Sequence, residues 1–260
     1  AIYADSSEDT ILSGKINNIF ATTDGTGKAY GIKAENGSKV DITGDTYVHG
    51  DNGAIVIIGN GINNNADGES EKQFTADDNL FVSADNGTVI TIENGASEHV
   101  KGNLISASGD KDNAYSNISL TDRSSLTVDG YAVIQGGKTG LELNNSTVTL
   151  GKEDSDSGPV ANYIIAKGEN SIAVDVKGGS TFTSNGSVTA LGGAHGIVLD
   201  TNSQFTVKDA GINFIKASMA RTDVTKEYEH YNAVNVGAGA KFDVSGKINI
   251  LQAGNLADGF

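Results

Sequence analysis

The sequence predicts an all-β fold: a parallel β-helix of three short strands per turn, about 23 residues per turn, in eight or more turns interrupted by loop inserts. Three observations predict it. Apolar and polar residues alternate over short stretches closed by glycine, as in Asn232 to Gly254, where Val234 and Val236, Phe242 and Val244, and Ile248 and Ile250 flank Asn235, Asp243 and Asn249. A period of two wets one face of a strand and buries the other. The stretch then recurs along the chain. Finally, 34 Gly, one Pro, 37% hydrophobic residues and 6% aromatics suit a narrow continuous core better than one round one.

Ala1 to Thr10 is polar apart from Ile2 and Tyr3, and Ile11 to Ala21 reads as the tail of an incomplete first turn, with Gly14 in a corner and Ile16 in a third strand. A gapless alignment of Ala29 to His49 puts Ile32 on Val234, Gly37 on Gly239, Val40 on Phe242, Gly44 on Gly246 and Val48 on Ile250. The first core residue of each copy is then Ile32, Ile55, Val82, Ile118, Leu141, Val174, Ile197 and Val234, at spacings of 23, 27, 36, 23, 33, 23 and 37. A short unit that cannot bury its own apolar face and repeats at such a period is a solenoid turn. The second-strand column reads Val40, Ile90, Leu126, Val148, Phe182, Phe205 and Phe242, its phenylalanines in the core. In turn 59–79 the second strand is unreadable. Neither end carries a capping turn, so residues 1–260 read as one piece of a longer solenoid without an internal domain boundary.

Net charge is -15 with two Arg, which opposes nucleic acid and anionic membranes as partners. No apolar run approaches the roughly 20 residues that cross a bilayer.

Turns such as VNVGAGAKFDVSGKINI (from Val234) and IKAENGSKVDITGDTYV (from Ile32) resemble the passenger domains of classical bacterial autotransporters, of the pertactin, AIDA-like and Antigen 43-like kind. The resemblance spans about Ile11 to Gly254 and implies that the parallel β-helix is right-handed. It implies export to the surface of a Gram-negative-type cell, anchorage by a translocator barrel that this chain does not contain, and action by binding. On that resemblance the chain is an adhesin, non-enzymatic, serving attachment or cell–cell aggregation. Its partner is a cell-surface glycan or protein, or a second copy of itself.

Binding residues are sought where inserts break the repeat, near 59–79, 93–115, 151–162 and 217–231. The last insert supplies Arg221, Lys226, Tyr228, His230 and Tyr231, and Tyr and Arg make binding hot spots through large area with a polar handle. The third carries Glu153, Asp154 and Asp156, where D-x-D-x-G opens as calcium loops do but lacks their later acid. With Glu93 and Glu98 from the same corner two levels away, these acids are expected to form a shelf, for which calcium is the one candidate cofactor. Outward Asn235, Asp243, Asn249, Asp41 and Thr43 form a candidate self-association face.

Two competing classes remain on the sequence. A polysaccharide-active β-helix enzyme needs a carboxylate pair in a groove, and the chain has no Trp, and its four His lack metal-ligand spacing. A passive stalk would merely display a more distal domain.

Overall fold

The computed structural model describes residues 1–5, 9–60, 73–110, 114–153, 160–217 and 231–253. Among the described residues it is a three-faced parallel β-helix of 23 strands, without a helix. The first face is a nine-stranded sheet of Ile2–Asp5, Tyr30–Glu35, Gly53–Ile58, Ile90–Glu93, Ser116–Thr121, Thr139–Asn144, Ile172–Lys177, His195–Leu199 and Asn232–Val236. Nine strands mean nine turns, a stack about 40 Å tall at ~4.8 Å per strand. The second and third faces merge into one 14-stranded sheet. They merge because Thr10–Ala21, Val40–Gly50, Gln204–Ala217 and Lys241–Ala253 run through the corner between them, two of the pairings slipping register there, between Ser13 and Ile16 and between Val207 and Ala210.

Pairing fixes the core ladders. On the first face Ile32, Ile55, Ile90, Ile118, Leu141, Val174, Ile197 and Val234 lie in one column, and Ile2 pairs below Ile32. This corrects the expected column at one level. Val82 pairs with Val48 and Ser106 on the third face, and Ile90 belongs to the first face. Subtracting residue numbers along the observed column gives 23, 35, 28, 23, 33, 23 and 37. Two disguises caused the slip. The second strand of the unreadable turn is only three residues long, Phe74–Ala76. In the next turn the core slot of the second strand, Ser97–Val100, is filled by Glu98. The second-face ladder is thus Val40, Phe74, Glu98, Leu126, Val148, Phe182, Phe205 and Phe242.

Both ends also differ from expectation. Ile2–Asp5 is a full first-face strand, so the first turn is complete. Ile16 is exposed, and Ile19 takes the core position beside Val48. At the far end Leu251 pairs with the buried Ile215, whereas Ile250 pairs with Phe214 and Ile248 with the exposed Ile212; Ile248 and Ile250 face outward.

Corners are stacked as regularly as strands. The bend from first to second face holds Asn36, Gly37, Asn94, Gly95, Asp122, Arg123, Asn145, Gly178, Gly179, Asn202 and Gly239 at positive φ, a conformation that Gly and Asn reach most easily. In all of these turns except that at Asn145, a backbone N–H closes on the carbonyl three residues back, as from Ser38 to Glu35 and from Ser180 to Lys177 (3.1 Å each). At the opposite corner of the second face, side chains climb the stack. The Asn79 amide donates to Asp45 Oδ1 (2.9 Å), the Asn103 amide donates to Asn79 Oδ1 (2.8 Å), and the Tyr131 N–H donates to Asn103 Oδ1 (3.0 Å). Each of these satisfies a polar group that a bend would otherwise leave without a strand partner.

Candidate functional site

The acidic shelf is not assembled. Glu93 ends a first-face strand, Glu98 fills a second-face core slot, and Glu153 follows the second-face strand Thr147–Leu150. Glu93 and Glu153 therefore leave from different corners of the helix. Glu98 is 1% exposed and neither carboxyl oxygen has a hydrogen-bond partner, so burial pushes its carboxyl up to about 8. It serves no surface site. Glu153 is exposed and accepts from Lys208 Nζ at 3.0 Å. Asp154 and Asp156 lie outside the described residues.

Arg221, Lys226, Tyr228 and His230 of the fourth insert also lie outside the described residues. Tyr231 is half-buried and precedes Asn232, whose N–H donates to His195 Nδ1 at 3.3 Å. Burial pushes the His195 imidazole down. The first face nearby carries a small charged network: Lys177 Nζ lies 2.6 Å from Asp175 and 3.1 Å from Glu142, and Ser116 Oγ donates to Glu142 at 2.6 Å. Burial pushes the Asp175 carboxyl up against the pull of Lys177.

The five residues of the polar face do not share one surface. Asp41 and Asp243 sit in a single outward column on the second face, with Thr75, His99, Thr127, Thr149, Thr183 and Thr206 between them and Ile11 below Asp41. Thr43 is on the same side, its hydroxyl donating to Ser13 Oγ at 3.2 Å. Asn235 is on the first face, in register with Val198. Asn249 is on the third face in an inward register: it pairs with the buried Asn213, whose amide donates to Asn249 Oδ1 at 2.8 Å. Its expected outward position is corrected for the same reason as Ile250.

Alternation in the sequence did not point to the outer side of the third face. One outward column there reads Asn18, Tyr47, Phe81, Ile105, Val133, Tyr163, Thr189, Phe214 and Ile250. Seven of its nine members are apolar or aromatic, and none is charged. Tyr47 and Phe81 stack with ring centroids 4.5 Å apart, and Tyr163 and Ile250 are each more than two-fifths exposed. The next outward column adds Ile165 and Leu191 as consecutive neighbours, and its upper end holds Lys216 and Gln252. Exposed Ile212 and Ile248 pair on the other side of Phe214 and Ile250. The signal was present as runs without alternation: Leu80-Phe81-Val82, Ala132-Val133-Ile134 and Tyr163-Ile164-Ile165 are apolar on both sides of the strand.

A second feature lies on the first face, a cleft of about 360 Å³ lined by Lys28, Tyr30, Asn52, Thr88, Thr91 and Tyr115 among others. Comparison with family models, with curated proteins and with solved structures finds no match for this chain.

Proposed function

We propose that the chain is a cell-surface adhesin rod that associates laterally with identical rods, through the outer side of its third face. The observation that carries this reading is the uncharged apolar column from Tyr47 to Ile250. On a chain of net charge -15, like molecules repel over most of their surface. The third-face column is a strip where two rods can approach without opposing carboxylates and can exclude water from Tyr, Phe and Ile side chains. Flat sheets packed face to face lie ~10 Å apart, and a strip eight strands long supplies side chains over roughly 35 Å at that strand spacing. The resemblance of the turns to autotransporter passengers supports export and surface display. Among the described residues the most deeply buried carboxyl, Glu98, is sealed from any substrate.

The test is clumping of beads coated with the purified chain, with and without calcium, and with free chain as competitor. Clumping that free chain suppresses supports homotypic adhesion. Dispersed beads that still bind cells or immobilised glycan would replace it with a heterotypic adhesin, for which the Tyr30–Tyr115 cleft is the structural candidate. Dispersed beads that bind nothing would leave a passive stalk.

A further inference from the structure

We infer that His49, Asp51 and Asp85 form a binding site for one divalent metal ion of the zinc type. The three side chains meet at the corner between the third face of one turn and the first face of the next. His49 pairs with Ser83 and Gly50 with Ala84, which sets Asp85 one level above Asp51. One ligand atom from each residue lies within 4.8 Å of the other two. His49 Nε2 is 3.5 Å from Asp51 Oδ1 and 4.0 Å from Asp85 Oδ2. These separations are long for hydrogen bonds, which charged pairs make at about 2.7–2.9 Å. The first matches neighbouring ligands of a tetrahedral ion, about 3.3–3.6 Å apart when each bond is about 2.0–2.2 Å, and the second exceeds that range by a margin that a small rotation of the exposed Asp85 side chain closes. The other imidazole–carboxylate pair supplies the contrast: His99 Nε2 lies 3.0 Å from Asp129 Oδ1, an ordinary direct contact.

The supporting contacts are those of a metal site and lie outside the triad. His49 Nδ1 is 3.0 Å from Ser83 Oγ, so a proton held on Nδ1 leaves the Nε2 lone pair directed at the two carboxylates. Asp51 spends its other oxygen, Oδ2, as acceptor for the Thr23 N–H at 2.6 Å, which leaves Oδ1 for the ion. Asp85 is 60% exposed at its side chain and admits the ion from solvent, with the fourth position left to water. One nitrogen and two carboxylate oxygens favour zinc, cobalt or nickel over calcium, which takes six to eight oxygens.

The experiment is calorimetric titration of the metal-stripped chain with Zn²⁺, with the visible absorption of Co²⁺ as a report of coordination geometry. The expected result is one saturable equivalent and a tetrahedral Co²⁺ spectrum. His49→Ala and Asp51→Asn abolish both, and Ser83→Ala weakens binding about 10–100-fold through the lost orientation of the imidazole. Asp85→Asn, at an exposed position on which folding does not depend, lowers affinity at least tenfold and keeps the test valid if His49→Ala unfolds. His99→Ala leaves binding unchanged. Absence of a saturable equivalent, or affinity unaltered in Asp85→Asn and His49→Ala, overturns the assignment.

Discussion

Glu98 stands directly beside Phe74 in the second-face ladder, a carboxyl packed in register with a fully buried phenyl ring. Desolvation pushes this carboxyl up to about 8. Its folded value is raised above the unfolded one, so the contribution to stability is fully present below the ordinary carboxyl range and is lost as pH rises through about 8. Glu98→Leu removes a side chain that has no partner in the core. The urea midpoint of the unaltered chain therefore falls relative to that of Glu98→Leu between pH 5 and pH 9. The difference is several kcal/mol, since each tenfold change in proton affinity is worth about 1.36 kcal/mol. Parallel pH dependence in the two chains would contradict a neutral buried carboxyl.

The phenylalanine stack is the strongest packing element. Phe182 and Phe205 are 4.4 Å apart between ring centroids and nearly parallel, and Phe242 continues the stack at 5.6 Å from Phe205. Phe205→Ala leaves a void between two rings that the stacked backbone cannot close, and costs about 3–5 kcal/mol. Because each turn touches mainly its neighbours, hydrogen exchange should accelerate first in the turns that contain Phe182 and Phe242.

The Asp45–Asn79–Asn103 chain of side-chain hydrogen bonds makes a different prediction. Asn79→Ala removes an acceptor used by both the N–H and the amide of Asn103, and a donor to Asp45. The expected loss is about 1–3 kcal/mol, read as a lower melting temperature. The outward-facing, half-buried control Thr149→Ala changes stability by under about 0.5 kcal/mol.

Tyr163→Lys and Thr149→Lys separate the two outer faces. Both positions face water, so each variant should fold with a change of about 0–1 kcal/mol. Tyr163→Lys places a charge in the middle of the third-face column, and bead clumping should fall at least tenfold. Thr149→Lys, on the second face, should leave clumping intact.

Much of this architecture was legible in the sequence, and the places where legibility failed have physical causes. The ladder from Ile118 to Val234 could be read because apolar residues alternate cleanly and Asn or Gly corners punctuate every turn but the first, which bends at Asp122 and Arg123. The level holding Ile90 slipped because Val82-Ser-Ala-Asp-Asn-Gly at a third-face strand end imitates Ile32-Lys-Ala-Glu-Asn-Gly at a first-face strand end. A strand of three residues and a glutamate in a core slot then hid the second face on either side. That slip alone moved Glu93 and Glu98 onto the corner of Glu153 and created the acidic shelf. The third-face surface was overlooked for a related reason. Alternation was taken as the mark of a strand, and the strands of that face are apolar on both sides. The triad of His49, Asp51 and Asp85 has no sequence signature, since its members come together only once the turns are stacked in register.

The most direct test of the adhesin account uses the absence of cysteine from the chain. Val133→Cys puts a single thiol at the centre of the third-face column, and Thr149→Cys puts one a level higher on the second face. Mild oxidation is followed by measuring the fraction of disulfide-linked dimers. The account predicts rapid dimer formation by Val133→Cys, suppressed by excess unaltered chain, and little by Thr149→Cys. Equal slow cross-linking at both positions, or dimers through Thr149→Cys alone, would contradict lateral association through the third face.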